Sequence, residues 1–248
     1  MTAPWFEADW PAPQGVRVLS TFRGEAGSGA SQAPYACFNL GDHVGDDPVA
    51  VAENRRRLMV GAALPGEPSW LSQVHGVTVV DLDSAQASGP ADAAVARGAG
   101  RVCAILTADC LPIVFATDSG DRVAAAHAGW RGLAAGVIEA TVRAMGVPTG
   151  RLMAWLGPAI GPKHFEVGAE VRDALLSADA QAVEAFAQNA RGRFMADLGM
   201  LARRRLETLG VTRIHGGGEC TFAKGDSYFS HRRDGITGRQ ATLIWREA

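Results

Sequence analysis

Four cysteines in 248 residues are too few for a disulfide framework in a chain of this length. The N-terminus, MTAPWFEADWPAP, has no basic segment followed by an apolar run, so it does not read as a signal peptide. Reduced thiols in a cytoplasmic protein are therefore expected. No apolar run approaches the roughly 18 residues that a membrane-crossing helix needs, so no membrane is expected as a partner. Charge of one sign is also scarce: 24 Lys and Arg stand against 26 Asp and Glu, a net of −2. Without a basic surplus, no nucleic acid is expected either. HExxH and CxxC motifs are missing. Gly216-Gly217-Gly218 is not a dinucleotide fingerprint, because it lacks the G-x-G-x-x-G spacing ahead of a helix.

What is present alternates between apolar runs and turn clusters. Strands are predicted at residues 16–22, 77–82, 102–106, 152–156, 212–215 and 241–245. Residues 1–13, rich in proline and tryptophan, read as an extended arm. Residues 24–34 are a Gly/Ser/Ala-rich surface loop or lid, and residues 84–90 a loop. Asp47 before Pro48 marks a helix start. Val51, Arg55, Leu58 and Ala62 share one stripe of the helix predicted over 48–63. Arg55 thus points inward, where a guanidinium must meet an anion or carbonyl groups. Further helices are expected over 132–145, 167–176, 180–188 and 194–209. Hairpins mixed with helical crossovers imply one α+β domain over 1–248, with mixed, largely antiparallel sheets flanked by helices in layers.

The stretch TADCLPIVFATDSGDRVAAAHAGWRG, residues 107–132, carries the densest signal. Residues 111–116 and 123–126 are apolar and flank the turn cluster Asp118-Ser119-Gly120-Asp121, so a β-hairpin is predicted. A turn near Ser119 places Cys110 and His127 opposite each other, or nearly so, at the open end, with Cβ atoms about 5 Å apart. Such a pair is a metal site, a nucleophilic dyad or buried core. His75 lies before Gly76 at another strand entrance, and three soft donors leave the fourth tetrahedral position open. Gly129-Trp130-Arg131-Gly132 precedes a helical run, an arrangement that favours anions. Arg55, Arg131, Arg232 and Arg233 are the available cations. His43 follows the Asn39-Leu40-Gly41 turn within reach of the same region. His164, His215 and His231 lie near turns. Cys37, Cys103 and Cys220 read as small buried hydrophobes.

The segments NLGDHVGDDP, ENRRRL, WLSQVHG, TADCLPIVF, AAAHAGWRG, WLGPAIGP and RRDGITGR, taken together, resemble the bacterial laccase-domain family, also called multicopper polyphenol oxidase-like. The likeness runs from about Asn39 to Trp245. It implies purine nucleoside phosphorolysis on adenosine, inosine and S-methyl-5'-thioadenosine, with adenosine deamination as a side activity. It further implies one Zn2+ (Cu2+ as an alternative) held by His75, Cys110 and His127. The implied phosphate and substrate residues are Asn39, Arg55, Arg131 and Arg232. Cys110, Asp109 and Arg55 form the implied catalytic set, with Asp109 protonating the leaving purine or orienting the hairpin. His231 departs from the pattern, standing where the family usually has tyrosine. The implied partners are small molecules, and the chain is expected as a monomer or small homo-oligomer.

Two other readings follow from the same residues. A thiolate–imidazolium pair of Cys110 and His127 would serve acyl transfer in a metal-free amidase that edits cell-wall peptide precursors. A single-copper polyphenol oxidase is the other. A four-copper centre is excluded by arithmetic, because only six histidines are present and none forms a His-x-His pair.

Overall fold

The computed structural model describes residues 3–84 and 89–247. Strands β1 (Trp5–Glu7) and β2 (Val16–Thr21) lead to helix α1 (Pro48–Gly61), followed by β3 (Pro68–Trp70), β4 (Val79–Asp81), β5 (Ala93–Ala96) and β6 (Val102–Thr107). The central hairpin is β7 (Leu111–Thr117) and β8 (Val123–Ala128), and behind it come α2 (Trp130–Ala135), α3 (Val137–Met145) and β9 (Leu152–Leu156). The chain continues through β10 (Glu166–Val167), α4 (Ala169–Ala178), β11 (Phe186–Gln188), β12 (Phe194–Ala196) and α5 (Leu198–Thr208). It closes with β13 (Arg213–Gly216), α6 (His231–Asp234) and β14 (Gln240–Arg246).

Two large sheets stack face to face. One has the order β1-β2-β14-β6-β3, the other β13-β9-β7-β8-β5-β4, and a small sheet β10-β12-β11 lies apart. Most pairs are antiparallel, with β13 on β9, β3 on β6 and β4 on β5 parallel. The period-2 pattern of the hairpin explains the layering. Val114, Ala116, Val123 and Ala125 face the first sheet, packing with Val18, Ile105 and Ile244. Ile113, Phe115, Ala124 and Ala126 face the other way, onto Leu133, Ile138, Leu201 and Leu206 of the helices. Helix α1 covers the outer face of the first sheet through Leu58, which packs with Leu40, Leu106 and Leu243. The hairpin is thus buried on both faces, and the site at its open end is built on rigid core. Among the described residues no helix is long and apolar enough to cross a membrane.

Several local expectations need correction. The helix expected over 132–145 is two helices broken at Gly136, whose φ of +98° ends α2. Residues 180–188 form a short 3-10 turn (Ala182–Ala185) and strand β11. Residues 194–196 are strand β12, because Asp197 accepts from Met200 N–H at 2.9 Å and starts helix α5 there. The 24–34 segment is pinned in part: Ala30 N–H donates to Asn54 Oδ1 at 2.7 Å, and Ser31 is buried. The loop expected over 84–90 lies largely outside the described residues.

Candidate metal centre

Strands β6 and β7 belong to different sheets, and the three residues between them, Ala108-Asp109-Cys110, carry the chain from one sheet to the other. Asp109 makes this crossing with φ +92°, a conformation that a non-glycine side chain rarely adopts. It is held there by its own contacts. Its carboxylate accepts from Thr221 Oγ1 and from Arg232 N–H, both at 2.7 Å, and its carbonyl accepts from Ile160 N–H at 2.9 Å. Both carboxylate oxygens are therefore engaged, which fits an orienting group better than a free proton donor.

His127 faces Pro112 across the hairpin, so Cys110, two residues earlier, is its diagonal neighbour and not directly opposite. His127 N–H donates to Asp92 O at 2.7 Å, on the β5 side, and Pro112 O accepts from Gly157 N–H at 2.9 Å, so this pair is not hydrogen-bonded across the hairpin and the proline costs no bond to β8. From that diagonal Cys110 still joins the cluster. Its Sγ lies 3.8 Å from His75 Nε2, and the two imidazole rings meet edge to face at 4.7 Å. The donor atoms of His75, Cys110 and His127 all lie within 4.8 Å of one another. A tetrahedral ion with ligand bonds of about 2.0 Å to nitrogen and 2.3 Å to sulfur has N···S edges of roughly 3.6 Å. Two imidazole nitrogens and a thiol at this spacing fit one ion. Gly129 allows the approach: a Cβ there would meet Cys110 Sγ at 2.8 Å and His75 Cδ2 at 3.1 Å.

Asp92 supports both histidines and was not singled out from the sequence. It is fully buried. Its Oδ1 accepts from His127 Nδ1 at 2.8 Å and from His75 N–H at 2.9 Å. Its Oδ2 accepts from Gly76 N–H at 2.7 Å and Val74 N–H at 3.2 Å. Those bonds hold His75 at φ +61°, a left-handed conformation that costs a non-glycine residue roughly 1–3 kcal/mol. They also reserve His127 Nε2 for a ligand. The one available signal was compositional: a lone carboxylate bordering the all-apolar strand β5.

Charge in this cluster is strongly shifted. Burial opposes ionisation of Cys110, but hydrogen bonds with His127 and His75 outweigh it and bring the thiol down to about 6. Burial likewise opposes protonation of His127, yet Asp92 and then Cys110 raise it to about 9. Burial raises Asp92, and the donors from His127, Gly76 and Val74 overcome it to hold the carboxyl below its usual range.

The cluster opens onto a cleft of about 390 Å³ lined by His43, Gln73, Thr107, Arg131, His231 and Arg239, among others. That volume lies within the range of ligand pockets, roughly 300–1,000 Å³. No carboxylate is among the lining residues. Gln73 is spent on the backbone of Leu106, donating to its carbonyl at 2.9 Å and accepting from its N–H at 2.8 Å. His43 is held below its ordinary value by burial and then by Arg239. A larger groove of about 650 Å³ beside Trp70 and Arg101 contains none of these donors.

The remaining residues implied by resemblance are placed differently. Arg131 lines the cleft, with its guanidinium 4.4 Å from its neighbour Trp130's ring centre. Arg55 does point inward, but it meets carbonyl rather than cleft. Its Nε and Nη2 donate to Leu40 O at 3.0 and 2.9 Å, Asp42 pairs with it at 3.3 Å, and it stacks 4.4 Å over Trp70. Arg232 donates to Glu166 O at 2.8 Å and lies over Phe165, outside the cleft lining. Asn39 is fully buried, and its Oδ1 accepts from Gly41 N–H and Arg239 N–H at 2.9 and 2.8 Å. It acts on Arg239, a residue noted in the sequence only as the end of RRDGITGR.

Comparison with known proteins follows the same residues. The family model described as multi-copper polyphenol oxidoreductase laccase matches residues 20–247. A purine nucleoside phosphorylase of Pseudomonas aeruginosa is 57% identical, over 97% of this chain and 98% of the relative. The purine nucleoside phosphorylase YfiH of Escherichia coli is 49% identical, over 95% and 96%. Among solved structures, a Neisseria meningitidis protein superposes with a TM-score of 0.92 at 46% identity, covering 99% of this chain and all of that one. YlmD of Geobacillus stearothermophilus superposes with a TM-score of 0.89 at 30% identity, over 100% and 98%.

Proposed function

The chain belongs to the multi-copper polyphenol oxidoreductase laccase family, and on that premise we propose that it is a zinc-dependent purine nucleoside phosphorylase. One observation carries the reading: a two-histidine, one-cysteine cluster opens onto a cleft that offers guanidinium groups and, among the described residues, no carboxylate. Its substrates are adenosine, inosine and S-methyl-5'-thioadenosine, with phosphate as co-substrate and hydrolytic deamination of adenosine as a side activity. The names of the relatives support the reaction class.

His75, Cys110 and His127 would hold a zinc ion, which would supply Lewis-acid chemistry at the head of the cleft. The donor set fits zinc or a single copper ion; it does not fit the several coppers of the family's description, since this is the one such three-donor cluster among the described residues. The protein's own groups do the rest. Asp92 fixes the His127 imidazole and the His75 backbone, and Asp109 fixes the turn that presents Cys110. Arg131 and Arg239 balance the charge of phosphate and aim it at the sugar. A phosphate oxygen bonds to C1′ as the bond from C1′ to the purine nitrogen breaks. The electron pair leaves with the purine, which takes up a proton. In deamination a water oxygen bonds to C6 and ammonia departs.

The test is product analysis on adenosine with protein of known zinc content. Adenine and a sugar phosphate appearing only with added phosphate support the reading; adenine release without phosphate sinks it. A second reading is favoured by the order Cys110, His127, Asp92, which matches nucleophile, base and orienting carboxylate. It requires metal-free protein that hydrolyses amide-linked cell-wall precursors.

A further inference from the structure

We propose that Arg239 is the centre of a built oxyanion site beside the metal cluster, and that its ligand is inorganic phosphate. The choice of phosphate rests on the phosphorylase reading; the site itself rests on geometry. Arg239 immediately precedes β14, whose first residue Gln240 pairs with Thr107, so the guanidinium rises next to the turn that presents Cys110. Its backbone is clamped on both sides. Asn39 Oδ1 accepts its N–H at 2.8 Å, and its carbonyl accepts Leu40 N–H at 3.1 Å. Its Nη1 donates to Thr237 O and Gly238 O, both at 2.9 Å, which fixes the plane of the fork. Its Nε and Nη2 meet no protein acceptor, and it enters no ion pair, among the described residues.

A guanidinium cannot shed its charge, so a half-buried one without a counter-ion is held ready for an anion. Burial pulls its pKa down, and Cys110 and Asp109 only partly offset this from a distance. Of the other arginines nearby, Arg55 is engaged on Leu40 O and Asp42, Arg232 on Glu166 O, and Arg233 on the carbonyls of Thr221, Phe222 and Tyr228, which leaves Arg131 as the second guanidinium lining the cleft. Gly41 preserves the space, since a Cβ there would come within 2.8 Å of Arg239 Cγ. A planar fork with two free donor positions matches a tetrahedral oxyanion, which it can hold in a bidentate fashion.

The test titrates inorganic phosphate into the zinc-loaded protein by calorimetry, and measures phosphate KM in parallel. Arg239→Gln should weaken phosphate binding by at least tenfold, roughly the loss of one charge-assisted hydrogen bond. Zinc content and the KM for nucleoside should stay unchanged. Gly41→Ala keeps the guanidinium but crowds it, and should weaken phosphate in the same direction if Arg239→Gln proves poorly folded. Phosphate binding unchanged in both variants overturns the proposal, as does a wild-type protein that binds no phosphate. Tighter Arg239-dependent binding of adenosine 5'-monophosphate than of phosphate overturns the assignment to free phosphate. If phosphate binds through Arg239 but no nucleoside is cleaved, the site stands and the phosphorylase reading falls. If phosphorolysis persists in Arg239→Gln with normal phosphate KM, the reverse holds.

Discussion

The Asp92 carboxylate accepts from His127 Nδ1 at 2.8 Å while also accepting from His75 N–H at 2.9 Å, so one buried side chain sets two of the three candidate ligands. Asp92→Asn keeps the shape but removes the charge and forces a choice between accepting from the imidazole and from the backbone. Zinc affinity should fall by about 10–100-fold, the usual cost of losing such a supporting carboxylate. Competition against a chelator measures it, and NMR of the His127 ring nitrogens should show the loss of a single tautomer. Unchanged affinity and tautomer would mean that the backbone contacts alone hold the site.

The shifted thiol makes a prediction for the metal-free protein. Alkylation of Cys110 should follow a pH profile with its midpoint near 6, far below an ordinary thiol, and His127→Ala should move that midpoint upward. The linkage signs oppose each other. Folding lowers the Cys110 value from 9.0 to about 6, so its contribution to stability is complete above 9.0 and drains as pH falls towards 6. Folding raises His127 from 6.5 to about 9, so its contribution is complete below 6.5 and is lost as pH rises through 9. The two slopes offset across the neutral range. The melting temperature of metal-free protein should therefore stay nearly flat there, instead of peaking. A steep slope between these limits would contradict the pairing.

Much of the scaffold was legible because its signals are local. The turn cluster at Asp118–Asp121 fixed the hairpin, Asp47-Pro48 fixed the start of α1, and β9 matches the strand expected at 152–156. Where apolar spacing suits both strand and helix, as at Phe194, only the Asp197 cap decides, and that residue was passed over. The three soft donors stood out because each lies at a strand end. Asp92 and Arg239 did not, because what makes them important is closure in three dimensions. A carboxylate next to alanines has no visible partner until β4, β5 and β8 align in one sheet.

Gly129 is a sharper test of the cluster than its ligands, since replacing it removes no donor. Gly129→Ala places a methyl 2.8 Å from Cys110 Sγ and 3.1 Å from His75 Cδ2. The cluster must open, at a cost of about 1–3 kcal/mol if the surroundings do not relax. Zinc stoichiometry should fall below one per chain while circular dichroism remains that of the folded protein. Full zinc occupancy in this variant would show that the ligands assemble by some other geometry.

Arg55 separates structural from ligand-binding arginines. Its Nε and Nη2 are held by Leu40 O and Asp42 and its plane stacks on the Trp70 ring, and Leu40 in turn donates to Arg239 O. Arg55→Ala removes two hydrogen bonds and a cation–π contact from a partly buried position, worth about 1–3 kcal/mol together. The melting temperature should fall by several degrees. Phosphate binding should weaken less than in Arg239→Gln, because Arg55 does not line the cleft and meets Arg239 through Leu40. Arg55→Lys should recover little of the loss: an ammonium cannot both stack on Trp70 and give Leu40 O two donors. If instead Arg55→Ala abolishes phosphate binding at unchanged melting temperature, the guanidinium must swing into the cleft when ligand binds, and the contact with Leu40 is only its resting position.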